Sequence, residues 1–392
     1  MRTPTIRQVP ETIARRLHGR FTSPLHDDRV AARLGLALGV LFSTCAITGA
    51  YSHLLQHPIP WLPVPSRPAG LYRITQGLHV TAGFASIPVL LAKLWVVAPK
   101  LVEWPVVKDA RHALERLALL PLVGGGVFLL FSGVGNVARW YPWPFYFPAA
   151  HYWAAWIAIG AMVIHIGATW TTSRMALRRR RLLPPDERVD LDIGRPDRRR
   201  FLGGVAAAAG VLAVSTVGGT VSPLSPVAFL AQRRARGGPQ GLPINQTARQ
   251  AHVVDTALAP DWRLRIVGAV TQPLTLSSAD LAAMAQHHAD LPIACVEGWS
   301  ASARWSGVPV HTLLTMAGAA PDATVRVHSL ERGSPYSVSQ LDRFEAHDRD
   351  TLMATHLNGQ RLHLDHGFPL RLISPNRPGV SQTKWVAELE VV

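Results

Sequence analysis

The chain has 392 residues, with 40 Lys or Arg against 25 Asp or Glu and a formal net charge of +15. Its two cysteines, Cys45 and Cys295, exclude a disulfide framework and a cysteine-rich zinc or iron–sulfur site. The length predicts two or three domains. Because 48% of the residues are hydrophobic, the excess of basic residues indicates a membrane surface rather than nucleic acid.

Four long apolar runs occupy the first half of the chain. They cover residues 33–52, 75–98, 114–136 and 150–170, and about 20 residues are enough to span a hydrocarbon core of about 30 Å. A fifth run, 201–221, is long enough but rich in Ala and Gly. Buried helices of a soluble protein are the alternative, but so many runs of this length favour a protein of the cell membrane with five spanning helices.

The distribution of basic residues predicts the orientation of these helices. Segment 1–33 carries seven Lys or Arg and segment 171–200 carries ten, whereas 53–74 carries two and 137–149 carries one. Because loops rich in Lys and Arg stay on the cytoplasmic side, we expect a cytoplasmic N-terminus and an extracytoplasmic domain after the fifth helix. The first residues are polar and basic, so we expect no short cleavable signal peptide there.

Histidines within the predicted helices indicate a haem site. His151 and His165 are 14 residues apart on the fourth helix, which is about 21 Å along the axis and nearly the same face. His79 lies near the outer end of the second helix. This arrangement suits two stacked haems, because imidazole is a common axial ligand of haem iron and polar groups are costly inside a bilayer. The alternative is hydrogen-bonded or interfacial histidines that bind no metal.

The block of four helices, residues 20–172, resembles the transmembrane di-haem b-type cytochromes that serve as membrane subunits of respiratory enzymes. The resemblance implies a cytochrome b-like bundle with haem ligands on the first, second and fourth helices. By position, His79 and His151 would hold an outer haem, and His165 with His26 would hold an inner one. A single outer haem b is the alternative, because His26 precedes the first apolar run by several residues.

The character of the sequence changes after residue 221. Residues 222–250 are rich in Pro, Gly and Arg, which predicts a linker. Beyond them, strands are predicted at 262–270, 323–330, 370–375 and 384–392, and short helices at 278–287 and 309–317. We therefore expect a mostly-β (α+β) outer domain.

Cys295 follows an apolar stretch and begins the motif Cys–Val–Glu–Gly–Trp–Ser. By itself it is either a buried inert cysteine or a catalytic thiol. This motif, together with the block LNGQRLHLDHGFPLRLISPNRPGVSQTKW over 357–385, resembles the molybdopterin-binding domain of the sulfite oxidase family. The likeness is strongest to the bacterial branch that reduces protein methionine sulfoxide. The resemblance implies an oxidoreductase with a molybdenum-molybdopterin cofactor and Cys295 as its metal ligand, which suits the preference of such metals for thiolates.

The same resemblance implies roles for other residues. His366, Arg371 and Lys384 would bind the phosphate and the polar pterin of the cofactor, and Asn245 would lie near the pterin. Tyr336 is a further candidate catalytic residue that would face the pocket. The alternative for Arg371 and Lys384 is an exposed charge at the end of a strand.

The motif after the cysteine departs from the sulfite-oxidising branch, which has arginines there. Glu297, Gly298 and Trp299 take that place, and a carboxylate would repel sulfite unless it were protonated or paired. We therefore expect oxygen-atom transfer from a small S- or N-oxide, with electrons from the quinone pool passing through b-type haem. Oxidation of sulfite or another sulfur compound is the alternative. An enzyme whose helices are only an anchor, and a non-catalytic membrane protein, are the others.

The stretch PDRRRFLGG, residues 196–204, precedes the fifth helix. Arg198 and Arg199, followed by Phe201 and Leu202, resemble a twin-arginine export signal. A domain that receives molybdopterin in the cytoplasm must cross the membrane folded, which implies the twin-arginine export machinery as a partner. A plain basic stretch is the alternative. The predicted domains are a cytoplasmic segment (1–30), the cytochrome b-like domain (31–172), a basic cytoplasmic loop (173–200), the fifth helix (201–221), the linker (222–250) and the molybdopterin domain (251–392).

Overall fold

The structure is a computed structural model of the chain, and it describes residues 21–59, 61–101, 109–182, 195–231, 233 and 237–392. The described residues fall into two compact units. The first comprises those up to Ile47 and those from Val80 to Thr216, and the second combines Thr48–His79 with Val217–Val392.

Long helices account for most of the first half of the chain. They are α1 (Asp28–Gln56), α2 (Leu71–Leu101), α3 (Ala110–Ala138), α4 (Phe147–Leu182) and α5 (Arg195–Val217). In the part of the chain that the structure describes, five helices are long and apolar enough to cross a membrane. This confirms the five helical runs expected from the sequence, and it is compatible with a membrane protein.

Two contacts in the first unit illustrate how its helices pack. α3 and α4 pack against each other, and a Cβ added at Gly125 of α3 would lie 3.2 Å from the Cβ of Ala158 on α4, so a small residue allows the close approach. The twin-arginine stretch lies in the first turns of α5, where Phe201 and Leu202 pack against a buried cluster. That cluster contains Val30, Leu34, Leu38, Val89, Leu90 and Val96.

Two antiparallel-rich sheets form the core of the second unit. One has the order β2-β1-β10-β5-β6, in which only β1 and β10 are parallel. The other has the order β3-β4-β7-β8, with β9 paired to β7. The strands are β1 (Arg263–Gly268), β2 (Leu274–Ser277), β3 (His287–Ala294), β4 (Ser300–Pro309), β5 (Val325–Ser329), β6 (Val338–Leu341), β7 (Leu352–Leu357), β8 (Gln360–Arg361), β9 (Arg371–Ile373) and β10 (Val386–Val391).

Short helices connect these strands. They are α6 (Val254–Leu258), α7 (Ser278–Ala283), α8 (Val310–Ala317) and α9 (Arg343–His347). α7 begins at a capping box, in which Ser277 and Asp280 bond each other's backbone N–H groups. The mostly-β prediction for this part of the chain is therefore confirmed.

Alternating burial explains the register of β1. Leu264 and Ile266 are fully buried, whereas Arg263 before them and Arg265 between them are exposed. A second cluster lies around Trp305 of β4 and includes Leu352, Ile373 and Cys295. The candidate metal ligand is thus part of a packed core.

The predicted elements differ from the observed ones mainly where strands are rich in small residues. The four predicted strands appear as β1, β5, β9 and β10, but β4, β6, β7 and β8 were not predicted. β4 carries Ser and Ala at most of its first positions, so apolar alternation is weak there. The predicted helix at 278–287 ends at Ala283, because β3 starts at His287.

Candidate active site

A cavity in the second unit contains five of the residues that the sequence singled out. Its walls are Pro243, Ile244, Asn245, Ile293, Cys295, Trp299, Asp365, His366, Arg371, Gly379 and Lys384. The predicted cofactor residues therefore meet at one place although they span about 140 positions of the chain. Tyr336 is not among the residues lining this cavity. It lies between β5 and β6, where its backbone N–H donates to Ser334 Oγ (3.2 Å).

Cys295 is held in a tight turn directly after β3. Its N–H donates to the carbonyl of Trp299 (2.9 Å), and its own carbonyl accepts from the N–H of Gly298 (3.0 Å). Gly298 has a φ of 89°, a conformation that favours glycine. The turn thereby fixes a thiol that is only 2% exposed in the wall of the cavity.

Arg371, the first residue of β9, places a buried cation in the cavity. Its Nη1 donates to the carbonyl of His366 (3.0 Å), and its guanidinium carbon lies 5.4 Å from the centre of the Trp305 ring. Burial lowers the pKa of Arg371 to about 9. Its Nε is buried and has no hydrogen-bond partner among the described residues. A buried charged donor without an acceptor is costly, so this atom indicates an anionic ligand.

Lys384 supplies a second cation. Its Nζ donates to Asn245 Oδ1 (3.3 Å) and to the carbonyl oxygens of Gln246 (2.5 Å) and Asp365 (3.2 Å). Burial, and then the charge of Arg371, lower the pKa of Lys384 to about 7. Lys384 therefore links residues 245–246 to Asp365 by hydrogen bonds. It also adds positive charge to the site.

His366 contributes a neutral ring. It is 1% exposed, and its Nε2 donates to the carbonyl of Pro239 (2.8 Å). Burial, and then the charge of Arg371, lower the pKa of His366 to about 4, so the ring is uncharged at pH 7. The next residue must be small, because a Cβ at Gly367 (φ 108°) would lie 3.1 Å from the Cβ of Lys384 and 3.2 Å from that of Arg371.

The chemistry of these groups fits a molybdopterin cofactor. Two buried cations, one with an unpartnered N–H, suit a phosphate or another anion. A thiol in the same wall suits a metal that prefers sulfur ligands. Trp299 and Ile293 also line the cavity and add apolar surface to its wall. Neither residue had been singled out from the sequence as a site residue, although Trp299 belongs to the motif that follows the cysteine.

Glu297 is paired, which changes the expectation that its charge repels an anionic substrate. Its Oε2 accepts from Arg233 Nε (3.0 Å) and from Trp299 Nε1 (3.1 Å). The carboxylate is thus compensated by a cation from the predicted linker, and it orients the Trp299 ring in the cavity wall. Arg233 had no signal in the sequence beyond its basic surroundings.

The two histidines assigned to the outer haem belong to different units, and the Nδ1 of each ring lies close to a hydroxyl group. Nδ1 of His79 on α2 lies 3.1 Å from Thr48 Oγ1 of α1. Nδ1 of His151 on α4 lies 3.0 Å from Ser132 Oγ of α3. A hydroxyl on a neighbouring helix therefore orients each ring, as partners of metal-binding histidines commonly do. A Cβ at Gly49 would lie 3.1 Å from the Cε1 of His79, so the ring packs closely against this glycine.

The other two histidines have different surroundings. His26 precedes α1, and its Nδ1 lies 3.1 Å from the carbonyl oxygen of Val96 while its ring packs 4.6 Å from that of Trp95. His165 lies on α4, and its carbonyl accepts from Thr169 Oγ1 (2.7 Å). Their assignment to an inner haem stays a prediction.

Comparison with known proteins identifies the second half of the chain. Residues 250–392 match the family model described as the oxidoreductase molybdopterin binding domain. This part of the chain is a molybdopterin-binding oxidoreductase domain. The match begins in the segment after Asn245 and includes Cys295, His366, Arg371 and Lys384, so the buried cations and the thiol belong to the domain type that the sequence motifs indicated.

Three known proteins show the extent of the similarity. A protein of Azospira oryzae, provisionally named as subunit YedZ1 of a protein-methionine-sulfoxide reductase, is 32% identical over 133 residues, or 34% of this chain and 50% of that protein. Mitochondrial sulfite oxidase of Rattus norvegicus is 30% identical over 168 residues, or 36% of this chain and 31% of that enzyme. The crystal structure of the sulfane dehydrogenase SoxCD from Paracoccus pantotrophus matches 34% of this chain and 38% of its own with 25% identity and a TM-score of 0.31. The chain thus spans half or less of each.

Proposed function

We propose that the protein is a membrane-bound molybdenum-cofactor oxidoreductase that reduces a small S-oxide or N-oxide with electrons from quinol. The observation that carries this proposal is the cavity at Cys295. A thiol, two buried cations and a neutral imidazole meet there, and the Nε of Arg371 has no acceptor among the described residues. Such a set binds an anionic, sulfur-ligated metal cofactor better than it would serve a hydrolytic reaction.

Each residue has a separate task in this proposal. The Cys295 thiolate would bind molybdenum, and metal binding would deprotonate it. Arg371 and Lys384 would bind the phosphate and polar edges of the pterin, and the neutral His366 would bind without adding charge. Asn245 orients Lys384 through the hydrogen bond at 3.3 Å. Tyr336 stays a prediction for a substrate contact.

The proposed reaction is balanced by one quinol. An S-oxide and a quinol give the sulfide, the quinone and water, so two electrons and two protons move from quinol to substrate. When bound, the molybdenum cofactor supplies the oxygen-atom transfer and the two-electron change. The protein would bind and orient the cofactor, and Trp299 and Ile293, which line the cavity, would keep water from the reacting atoms.

The helical half is proposed to bring electrons to this site. One or two b-type haems would be held by His79 and His151, and by His165 with His26. The hydroxyl groups of Thr48 and Ser132 support the assignment of the first pair, because each orients a ring through its Nδ1. Iron would then bind the opposite ring nitrogen, Nε2.

The location of the protein belongs to the same proposal. The N-terminus and the basic 173–200 loop would face the cytoplasm, and the molybdopterin domain would lie outside. The stretch with Arg198 and Arg199 would recruit the twin-arginine machinery, which exports a domain that already holds its cofactor. The support for this arrangement is the unequal distribution of Lys and Arg between the loops.

Oxidation of sulfite is the second candidate, and the Arg233–Glu297 pair favours it. The expected repulsion of an anion by Glu297 is reduced, because Arg233 Nε lies 3.0 Å from its carboxylate. The similarity to rat sulfite oxidase points the same way. S-oxide reduction remains our first proposal, since the name of the Azospira oryzae protein refers to methionine sulfoxide and Trp299 makes the cavity wall beside Cys295 apolar.

Cofactor analysis followed by a substrate screen tests this function. The full chain is purified in mild detergent, and molybdenum, pterin and haem b are measured per chain. We expect one molybdenum and one or two haems, with quinol-dependent reduction of methionine sulfoxide or trimethylamine N-oxide. Sulfite-dependent reduction of quinone instead would favour the second candidate. Protein that contains neither molybdenum nor haem after expression with molybdate would contradict both.

A further inference from the structure

The first turns of α2 touch the turn that carries the candidate molybdenum ligand, and both belong to the second unit. Gln76, which is 7% exposed, donates from Nε2 to the carbonyl oxygen of Val296 (3.3 Å). Val296 directly follows Cys295 in the chain. His79 follows Gln76 by three residues on the same helix, which is about 4.5 Å of axial rise and one turn.

Further contacts of α2 support the hydrogen bond between Gln76 and Val296, and they involve residues on both sides of Cys295. Tyr72, one turn before Gln76, is buried against Ala294, the residue before Cys295. The hydroxyl of Tyr72 lies 3.3 Å from Ser52 Oγ and 3.5 Å from Gln76 Oε1, so it helps to fix the Gln76 amide.

A second hydrogen-bonded route reaches the same turn. Thr220 Oγ1 donates to the carbonyl oxygen of Gly298 (3.1 Å), and Arg73 Nη2 donates to the carbonyl oxygen of Thr220 (2.8 Å). A Cβ at Gly77 would lie 3.0 Å from Thr220 Cγ2, so α2 approaches this contact as closely as a glycine permits. Two consecutive turns of one helix therefore support the Cys295–Gly298 turn.

From this geometry we infer that Gln76 is a positioning residue that couples the group held by His79 to the group held by Cys295. The inference rests on the proposed function, because it needs a haem at His79. The route runs from His79 along one helical turn to the Gln76 side chain, across its hydrogen bond to Val296, and along the backbone to Cys295. Electrons would pass along this route one at a time, and two transfers per S-oxide would match the two electrons that one quinol supplies.

The chemical reason is the steep dependence of electron transfer on contact. A route of covalent bonds joined by one hydrogen bond transfers an electron faster than one that crosses a gap between side chains. The Gln76 amide also restrains the Val296 peptide, and with it the position of the Cys295 sulfur. Loss of the Gln76 amide is therefore expected to weaken both effects.

Replacing Gln76 tests the inference, with Thr75 as the matched control. Gln76→Met keeps an unbranched side chain of similar size but cannot donate a hydrogen bond. Thr75→Val alters the adjacent residue, whose Oγ1 donates to the carbonyl of Tyr72 in its own helix (3.1 Å). Detergent-solubilised full-length protein is reduced with a quinol analogue and mixed with L-methionine sulfoxide, and reoxidation of the haem is followed in its visible spectrum.

We expect Gln76→Met to slow haem reoxidation about tenfold, as a small displacement of reacting partners does, at wild-type contents of molybdenum and haem. Hydrogen exchange in the 295–299 peptide should become faster in the same variant, because the turn loses a restraint. Thr75→Val should match the wild type in both measurements. Tyr72→Phe, which removes only the hydroxyl that orients Gln76, should show a smaller effect of the same kind.

The outcomes separate this inference from the proposed function. Haem that reoxidises equally fast in Gln76→Met and in the wild type overturns the inference alone, whether or not hydrogen exchange changes. A wild-type protein that lacks haem, or whose reduced haem is not reoxidised by the S-oxide, overturns the proposed function and with it the inference. Slower reoxidation in Gln76→Met together with faster exchange supports both.

Discussion

The cavity at Cys295 and the histidines of the helices present candidate sites built in two different ways. Around Cys295, three regions that are distant in sequence (243–245, 293–299 and 365–384) converge, and the hydrogen bonds of the protein only partly compensate for the burial of their polar groups. The helical histidines each have one clear support, a hydroxyl on a neighbouring helix. The first arrangement is hard to explain without a ligand, whereas the second is also compatible with hydrogen-bonded helix packing.

A buried polar group that lacks a hydrogen-bond partner is therefore stronger evidence for a ligand than residue types that could bind one. Arg371 keeps a buried Nε without a described partner, and burial depresses its pKa to about 9. A side chain that only stabilised the fold would be expected to pair this donor. His79 and Thr48, by contrast, satisfy each other at Nδ1, so the haem assignment depends on position and on experiment.

Replacing the thiol should give the largest effect. We expect Cys295→Ser to lose molybdenum and all S-oxide reduction, because a serine hydroxyl does not replace the thiolate as a soft ligand. Pterin should remain bound, since Arg371 and Lys384 are unchanged. Elemental analysis and pterin fluorescence measure the two separately.

Cys45 supplies the control for this change in the other region of the molecule. It lies on α1 and is half-buried. Cys45→Ser should keep molybdenum, pterin and haem at wild-type levels. Full molybdenum in Cys295→Ser, or its loss in Cys45→Ser, would contradict the assignment of the metal ligand.

Replacing the helical histidines should affect haem rather than molybdenum, which would separate the two candidate sites. His79→Ala and His151→Ala are each expected to lose the outer haem while molybdenum stays bound, because Cys295 lies in a differently built site. Haem is quantified by its pyridine haemochrome spectrum. His57→Ala, an exposed histidine just after α1, is the matched control and should retain all haem. Haem that persists in both variants would reduce the helical half to an anchor.

Arg371 permits a test in which binding and stability change in opposite directions. Arg371→Met should lose the molybdenum cofactor, because an anion would no longer be bound by this cation. The cofactor-free variant should nevertheless be more stable than cofactor-free wild type, with a free energy of unfolding higher by about 1 kcal/mol or more, since a buried cation with an unpaired N–H is replaced by an apolar side chain. Thermal unfolding of the two cofactor-free proteins measures the difference. Arg361→Met, a neighbouring exposed arginine, is the control. A cofactor-free Arg371→Met that is clearly less stable would show that the cation stabilises the fold.

The sequence predicted the elements with strong periodicity and the residues that stand in long motifs. Long apolar runs predicted the five helices, and an alternation of apolar and polar residues predicted the strands β1, β5 and β10. Cys295, Arg371 and Lys384 stand in two blocks long enough to be matched in order. In the structure they converge on one cavity.

Other features depended on contacts that sequence order does not reveal. Gln76 approaches Val296 across 220 positions, and Arg67 approaches Asp348 across 281. Thr48–His79 belongs to the same compact unit as Val217–Val392. Nothing in the composition of the segment indicates its partner, because a Gln or an Arg at a helix end is equally suited to water.

The smallest expected effect concerns the ion pairs that bind this segment to the molybdopterin domain. Arg67 donates from Nε and Nη2 to the two oxygens of Asp348 (2.9 and 2.7 Å) and from Nη2 to Asp350 (2.5 Å). Burial raises the pKa of both carboxyls, but hydrogen bonds from Arg67, with Ser66 on Asp348 and His287 on Asp350, outweigh it. The pKa of each therefore lies below its usual range.

The sign of the pH dependence follows from these lowered pKa values. The stabilisation that the ionised Asp348 and Asp350 give to the fold is fully present above their unfolded pKa of about 3.9. It is lost as the pH falls through their lower pKa values in the folded protein. Arg67→Ala should therefore destabilise the second unit at pH 6 by only about 1 kcal/mol, because the Arg67 side chain is 46% exposed and the pair is screened by solvent. At pH 3 the difference from the wild type should shrink.

Thermal unfolding at the two pH values measures this effect, with Arg349→Ala as the control. Arg349 lies 3.8 Å from the same Asp350 but is 81% exposed, and so it should contribute less than Arg67 at either pH. A loss in Arg67→Ala that is equally large at pH 3 and pH 6 would mean that Arg67 acts through packing rather than through charge. The 48–79 segment would then be held mainly by uncharged contacts such as those of Asn376, whose amide bonds the hydroxyl of Tyr51 and the backbone of Tyr72.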